Sequence, residues 1–169
     1  SNQPTPIDFE NRLAIDYIRH NHQTLILEDE SRTIGKVAIP NTWFHRMQKS
    51  EMVFIKISLE ERIQNIMDDY ILTPLGDGIS KTDLLLSLRS SLMKIQKRLG
   101  GDNFREIRTK MDQAFLDQKN FRHEAWINQL LNVYYDPLYD YQIKSKTNRC
   151  IYQSDTKGVT EFLSGLEPA

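Results

Sequence analysis

The first third of the chain switches from a helical to a strand-like pattern of hydrophobic positions. Apolar residues recur at every third or fourth position over residues 9–18, and Thr5 stands where a helix cap is expected, so we predict a helix that ends near Arg19. Two short runs follow, 25–27 and 52–57, that are apolar or β-branched almost throughout. Such runs are typical of strands buried on both faces of a parallel sheet, so the pattern predicts an α/β arrangement.

The middle of the chain keeps a helical period over a much longer stretch. Ser58 and Ser80 each precede an apolar repeat and stand three residues before an acid, which is the signature of a helix start. The repeat over residues 85–99 is broken by Gly100-Gly101 and resumes over residues 104–114. Two amphipathic helices joined by a short glycine turn are predicted to pack as an antiparallel hairpin.

The last third adds a further helix around residues 126–133 and a strand-like run at 149–152. The predicted fold class is α/β, with a parallel sheet of about three strands and a large helical insert that includes the hairpin. We predict an α/β segment over 1–73, the helical insert over 74–146, and a closing strand and helix over 147–169. Three strands are fewer than the usual four to six or so, which leads us to expect that part of the domain is missing from this chain.

The composition is that of one globular domain whose charges balance. The chain has 169 residues, 39% hydrophobic and 27% charged, with a net charge of −1, so contact with nucleic acid would need a local basic patch. No apolar run approaches the roughly 18 residues of a membrane span, and we predict no membrane partner. The single Cys150 cannot form an internal disulfide, which fits a cytoplasmic protein. The four histidines have no cysteine beside them, and we predict no metal site.

Three consecutive acids follow the first strand-like run. They extend from Glu28 to Glu30 and are followed by Ser31 and Arg32. Ligands gather at the carboxyl ends of parallel strands, where carboxylates hold magnesium or polarise water. Because adjacent acids repel one another, a cation or Arg32 would have to offset them. The alternative is a solvated loop with an ion pair inside it.

Arg62 lies one turn into the helix that starts at Ser58, a position that resembles the lid region of nucleotide kinases. There it would reach a transferred phosphate; alternatively, it is a surface residue paired with Asp68 or Glu61. The stretch 76–82 is not a phosphate-binding loop, because a serine stands before Lys-Thr where the motif has glycine.

Basic residues flank the glycine turn of the predicted hairpin. At spacings of three or four, each group shares one helix face, and the turn brings the two groups together. The patch could neutralise several phosphates of a nucleic acid, or it could be ordinary solvated surface. Its members are Lys94, Lys97, Arg98, Arg105 and Arg108.

Four of the seven tyrosines lie within residues 134–141. Exposed aromatic rings beside a basic patch can stack on bases, and Tyr134, Tyr135 and Tyr139 are the candidates. Alternatively, these rings belong to a core or an interface with their hydroxyls hydrogen-bonded. Pro137 predicts a helix boundary at this point.

Several of these elements, taken in order, resemble the P-loop domain of bacterial tRNA 2-selenouridine synthases over essentially the whole chain. The most specific elements are Glu28-Asp29-Glu30-Ser31-Arg32 with Ile34-Gly35, and Tyr134-Tyr135-Asp136-Pro137 with Tyr139. Further matching residues are Phe9-Glu10-Asn11, Pro40, Arg98-Leu99-Gly100, His123, Ala125-Trp126 and Tyr141-Gln142.

The resemblance implies a tRNA-modifying enzyme built from a rhodanese domain with a reactive cysteine and a P-loop domain. Members convert wobble 2-thiouridine to 2-selenouridine through an S-geranylated intermediate, using geranyl diphosphate and selenophosphate. The rhodanese domain and the Walker A loop have no counterpart in this chain, and Cys150 does not match the reactive cysteine. We therefore expect a piece of the enzyme that holds no cofactor and is inactive alone. Whether a nucleotide binds is left open.

The resemblance also implies roles for individual residues. Glu28 and Glu30 would face a phosphate site, with Ser31 and Arg32 fixing the loop or a phosphate, while the hairpin patch and the tyrosines would contact tRNA around the wobble uridine. Two other interpretations stay open at this point. One is a fragment of a small-molecule or nucleotide kinase with Arg62 in its lid, and the other is a non-catalytic helical interaction module.

Overall fold

The computed structural model describes residues 3–21, 24–29, 31–117 and 122–166. The helices are α1 (Pro6–Arg19), α2 (Asn41–Met47), α3 (Leu59–Met67), α4 (Thr73–Gly76), α5 (Lys81–Leu99), α6 (Gly101–Leu116), α7 (Glu124–Leu130), α8 (Asp136–Lys146) and α9 (Thr156–Ser164). The strands are β1 (Thr33–Ile34), β2 (Val37–Ala38), β3 (Met52–Ile55) and β4 (Cys150–Ser154). Two segments are π-helical, Asp68–Leu72 and Leu131–Tyr135, and Thr147–Arg149 is a short 3-10 helix.

The described residues pack into two compact units. The terminal unit contains the residues up to Lys56 together with those from Asn148 onward, and the helical unit is Ile57–Thr147. The division predicted from sequence, with an insert over 74–146, stays a prediction about domains. No helix among the residues described is long and apolar enough to cross a membrane.

The terminal unit is built on a two-stranded parallel sheet. Strand β3 pairs with β4, with Ile55 opposite Ser154, and the backbone N–H of Lys56 extends the ladder by donating to the Ser154 carbonyl at 2.7 Å. Helix α9 packs beside β4, where the rings of Tyr152 and Phe162 stack at 4.3 Å. Parallel strands need a long crossover, and here the whole helical unit separates the two strands in sequence.

A small hairpin and helix α1 complete the terminal unit. Thr5 caps α1 by accepting the N–H of Asp8, as predicted. The side chain of Gln3 then donates to the Ile34 carbonyl at 2.9 Å and accepts the Lys36 N–H at 2.8 Å, spanning the turn between β1 and β2. Gly35 is required in that turn because its φ is 62° and an added Cβ would lie 2.3 Å from Gln3.

The fold class is confirmed, but the sheet is smaller than predicted. The runs at 52–57 and 149–152 do form parallel strands, whereas the prediction of a strand at 25–27 was wrong. Leu25, Ile26 and Leu27 are 40%, 58% and 46% exposed and pair with no strand that the structure describes. A short apolar run signals burial, but it carries no information about a hydrogen-bonding partner.

The helical unit has one continuous core, and the predicted hairpin forms its centre. Helices α5 and α6 are joined through Gly100, whose φ of 77° permits the sharp turn, and the Arg89–Asp112 ion pair links them at 2.7 Å. Ser58 and Ser80 cap α3 and α5, as their spacing predicted. The buried apolar residues of the core are Ile71, Leu84, Leu92, Leu99, Phe104, Ile107, Met111, Ala114, Phe115, Trp126, Ile127, Leu131 and Tyr134.

Two prolines inside helical stretches explain the two π-helical segments. Pro74 and Pro137 each stand two residues after such a segment. The residue before each proline donates its N–H to the carbonyl five residues earlier, as Asp136 does to Leu131. A proline ring clashes with the carbonyl four residues earlier and has no N–H, so a wider turn lets the helix continue. The boundary predicted at Pro137 is thus a change of helix type rather than an end.

Candidate functional site

The helical unit contains a cleft of about 440 Å³, within the range of roughly 300–1,000 Å³ that small-molecule sites occupy. Residues from α3, α5, α6 and α7 and from both π-helical segments line it. Its buried surface is formed by Leu92, Met111, Trp126, Ile127 and Leu131. Partly buried aliphatic side chains add the walls, namely Ile66, Leu88, Ile95 and Leu130. The interior is therefore almost entirely apolar.

Polar groups of the cleft include a cation and three phenols. Arg62 donates to Asp136 in an ion pair whose two side chains are both about 30% exposed. Tyr70, Tyr135 and Tyr139 carry the phenols. The predicted partners of Arg62 were Asp68 and Glu61, and this prediction was wrong because Asp136, 74 residues away in sequence, reaches it instead.

The tyrosine cluster is held by ring contacts. Tyr134 and Tyr135 meet edge to face at 5.0 Å, and Tyr135 and Tyr139 stack at 6.5 Å. Burial, followed by the neighbouring phenols, raises the pKa of Tyr135 above its usual value, so its hydroxyl stays protonated and can donate a hydrogen bond. Tyr134 is only 8% exposed and belongs to the core, which leaves Tyr135 and Tyr139 with accessible rings.

A second candidate feature, the hairpin tip, lies at the turn between α5 and α6. We define it as Lys94, Lys97, Arg98, Gly100 and Gly101. All five residues are exposed, and an open depression of about 410 Å³ is lined by members of this group. The three cations form no ion pair with any residue that the structure describes. Helix α6 begins here without a side-chain cap, so its first N–H groups add to the positive potential.

Arg105 and Arg108 are on α6, where acids accompany them. Arg105 pairs with Asp102, and Arg108 lies 3.9 Å from Asp112, which also receives Arg89. The basic patch predicted from sequence is therefore uneven. Its unpaired charge is concentrated at the hairpin tip rather than spread along both helices.

The acidic loop of the terminal unit is held by a cation that the sequence did not indicate. Arg149 lies 3.5 Å from the Asp29 carboxylate and donates to the carbonyls of Met47 and Ser50 at 2.7 and 3.1 Å. Arg32 was expected to offset the acids, but it donates to the amide oxygen of Asn41 at 2.6 Å. The offsetting cation is thus 120 residues away in sequence, which is why local spacing could not identify it.

The other predicted residues of this loop are placed as follows. Glu28 is exposed, and the Ser31 hydroxyl donates to the Thr33 carbonyl at 2.8 Å. Glu30 lies outside the described residues. The phosphate-site roles of Glu28, Glu30, Ser31 and Arg32 stay predictions.

Sequence reasoning missed the cleft itself. The spacing of Leu88, Leu92 and Ile95 indicated a core-facing helix stripe, and a stripe looks the same whether it packs against a neighbour or lines a cavity. The signal that was present is the pair of prolines within helical patterns, since each one leads to a π-helical segment and such segments often occur at functional sites.

His123 is the buried polar residue of this unit and was weighed only as a metal ligand. Its side chain is inaccessible to solvent, and its Nδ1 accepts the indole N–H of Trp126 at 3.0 Å. Burial, with a smaller effect from Lys81, lowers its pKa to about 4, so the ring is neutral at physiological pH. Among the described residues, no three histidine, cysteine or acidic side chains are grouped as metal ligands.

Comparison with known proteins places the chain in a family. A family model described as the tRNA 2-selenouridine synthase AAA domain matches residues 1–167. The tRNA 2-selenouridine synthase of Shewanella oneidensis is 36% identical over 97% of this chain and 47% of its own length. The corresponding values are 36%, 96% and 47% for the enzyme of Hydrogenovibrio crunogenus, and 37%, 98% and 49% for that of Pseudomonas fluorescens.

The chain spans about half the length of the curated relatives it matches. No solved structure matches it significantly. The family resemblance seen in the acidic and tyrosine-rich elements is confirmed, because the family model covers both elements and nearly all of the remaining residues. The chain belongs to the tRNA 2-selenouridine synthase family and corresponds to its AAA domain.

Proposed function

We propose that this chain serves in an enzyme that modifies tRNA at the wobble uridine. In that enzyme, 2-thiouridine would be converted to 2-selenouridine through an S-geranylated intermediate, with geranyl diphosphate and selenophosphate as co-substrates. Support comes from the family match and from the names of the relatives. The proposed role of this chain within the enzyme is to bind tRNA, and a tRNA partner implies a cytoplasmic location.

The observation that carries the binding role is the charge at the hairpin tip. Lys94, Lys97 and Arg98 are exposed cations without an acidic partner among the described residues, in a chain whose net charge is −1. Surface cations that are not neutralised within the protein are free to bind phosphates, and each phosphate contact releases counterions from the nucleic acid. Arg105 and Arg108 would join the contact by exchanging their aspartate partners for phosphates. Their contribution is expected to be smaller.

The accessible tyrosine rings support the same role. Tyr135 and Tyr139 are stacked on one another and carry exposed faces on which an unpaired base could stack. Tyr134 is excluded from stacking by its burial. Phosphate contacts would then position the tRNA, and the rings would favour a single-stranded segment such as an anticodon loop.

The test is a titration of the 169-residue chain with wobble-thiolated tRNA and with an unrelated RNA, at two salt concentrations. The hairpin variant combines Lys94→Gln, Lys97→Gln and Arg98→Gln. The matched control combines Lys36→Gln, Lys49→Gln and Lys56→Gln, which removes the same charge from exposed positions of the terminal unit. We expect the hairpin variant to lose at least tenfold in affinity and to show a salt dependence lower by about two to three contacts. Equal affinities of the two variants would refute the assignment.

A phosphate site on the acidic loop belongs to the same proposal. Glu28 would face the site, Ser31 would keep the loop in place, and Arg32 would offer its guanidinium to a phosphate while Asn41 orients it. Replacing Arg32 with glutamine should weaken binding of inorganic diphosphate to the chain, measured by calorimetry. Unchanged binding would remove the loop from the proposal without affecting the hairpin tip.

A further inference from the structure

We propose that the cleft of the helical unit binds a hydrocarbon chain, with the anionic head of that ligand at Arg62. The inference deepens the proposed function and rests on it for the biological source of the chain, which would be the prenyl group of the intermediate. The chemistry of the ligand is argued from the cleft alone.

The interior of the cleft selects for an apolar ligand. Nine of its fifteen lining residues are aliphatic, methionine or tryptophan, and only Asn65 and Ser91 bring uncharged, non-aromatic polar groups. A sugar or a base in such a site would leave its hydroxyl or amide groups without hydrogen-bond partners, which is unfavourable by several kcal/mol per group, of order 2–7. A flexible hydrocarbon chain has no such groups and gains from every methylene that it buries.

The position of Arg62 selects for an anionic head. Its side chain is partly buried, which strengthens a charge-assisted hydrogen bond relative to one in open water. One of its terminal amino groups donates to Asp136, and the rest of the guanidinium fork retains N–H groups for a second acceptor. An anion here would share the guanidinium with Asp136. Neutralising that aspartate should therefore tighten binding.

Two separate chain segments use the same backbone device around this one cleft. The π-helical segment Asp68–Leu72 supplies Tyr70, and the segment Leu131–Tyr135 supplies Leu131 and Tyr135. The prolines that follow account for the wider turns, and the wider turns set the direction of these side chains. Because both devices converge on one cavity, the cavity is a built feature of the unit rather than a packing defect.

The experiment measures binding of butyl, hexyl, octyl and decyl phosphate to the 169-residue chain by calorimetry, with inorganic phosphate as the head alone. We expect affinity to rise about fourfold per methylene until the cleft is filled. Inorganic phosphate should bind at least a hundredfold more weakly than decyl phosphate. Affinity that does not depend on chain length would overturn the proposal, and this series needs no variant.

Two adjacent serines of α5 give a matched pair of variants. Ser91 lines the cleft and Ser90 does not, although both are exposed on the same helix. Ser91→Phe should lower the affinity for decyl phosphate at least tenfold, while Ser90→Phe should leave it within twofold. If both variants bind decyl phosphate equally well, the ligand is held elsewhere and the proposal fails.

The head is tested separately from the tail. Arg62→Met should weaken decyl phosphate about tenfold and leave decanol within twofold, whereas Asp136→Asn should tighten decyl phosphate several-fold. Equal effects of Arg62→Met on both ligands would refute the anion contact. The tRNA titration is independent of this series: chain-length-dependent binding without tRNA binding would refute only the proposed function, and tRNA binding without it would refute only this inference.

Discussion

The helical unit and the terminal unit are stabilised by different interactions. The helical unit buries a continuous apolar core, whereas the buried hydrophobic side chains described in the terminal unit are Val37, Ile39 and Val159. The terminal unit instead uses long-range polar contacts, above all those of Arg149 and Gln3. The comparison teaches that the stability of one unit resides in its apolar packing and that of the other in a few specific hydrogen bonds.

The largest expected difference comes from removing the same aliphatic side chain from each unit. Ile107 is fully buried in the helical core, and Ile26 is 58% exposed in the terminal unit. Ile107→Ala should lower the free energy of unfolding by about 2–5 kcal/mol, because it removes buried surface and leaves a cavity. Ile26→Ala should change it by no more than about 0.5 kcal/mol. Chemical denaturation followed by circular dichroism measures both, and similar losses would abolish the distinction.

Acid should weaken the helical unit through His123. Its folded-state pKa of about 4 lies below the ordinary 6.5, so the unfolded chain binds the proton more tightly. The stabilisation from the neutral ring is complete above pH 6.5 and is lost as the pH falls towards 4, by an amount on the order of 3 kcal/mol. Each unit contains one of the two tryptophans, Trp126 in the helical unit and Trp43 in the terminal unit, so fluorescence can follow them separately.

The control for the pH experiment is His123→Gln, which should unfold with a flatter dependence between pH 6.5 and 4. Trp43→Phe leaves Trp126 as the reporter of the helical unit, and the reverse change should be avoided because Trp126 donates to His123. If the His123→Gln chain retains the full acid sensitivity, another group is responsible.

The contrast between the units also decides how much the sequence could predict. The hairpin, the Ser58 and Ser80 caps and the core stripe of α5 were predictable because a helix records its buried face in the spacing of neighbouring residues. The strand at 25–27 was predicted wrongly, because strand pairing depends on residues far away in sequence. The partners of Arg62 and Arg149 were missed for the same reason.

Arg149 offers the corresponding test of the terminal unit. Its side chain is only 12% exposed and donates to two carbonyls while facing Asp29. Arg149→Ala should destabilise this unit by about 1.5–3 kcal/mol, since hydrogen bonds to a charged group are lost and buried carbonyls lose their donor. Arg149→Lys keeps the charge but not the fork, and should recover less than half of the loss. Unfolding monitored through Trp43 measures both, and full recovery by lysine would show that charge alone matters.

The smallest expected change in stability accompanies the most specific change in structure. Pro137→Ala restores an N–H and removes the ring that clashes with the carbonyl four residues earlier, so a regular α-helix becomes possible in place of the π-helical segment. We expect a gain of about 1 kcal/mol in the free energy of unfolding, well below the full helical penalty of proline because the wider turn already relieves part of it. The side chain of Tyr135 would then rotate away from the cleft.

The matched control is Pro6→Ala at the first position of α1, where proline is favourable and no π-helical segment is formed. That change should leave stability within about 0.5 kcal/mol and ligand binding unaltered. Pro137→Ala should instead weaken decyl phosphate binding severalfold while the chain becomes more stable. A stabilised Pro137→Ala chain that binds as tightly as before would show that the cleft does not need the wide turn, and that the convergence of the two π-helical segments there has a purely structural cause.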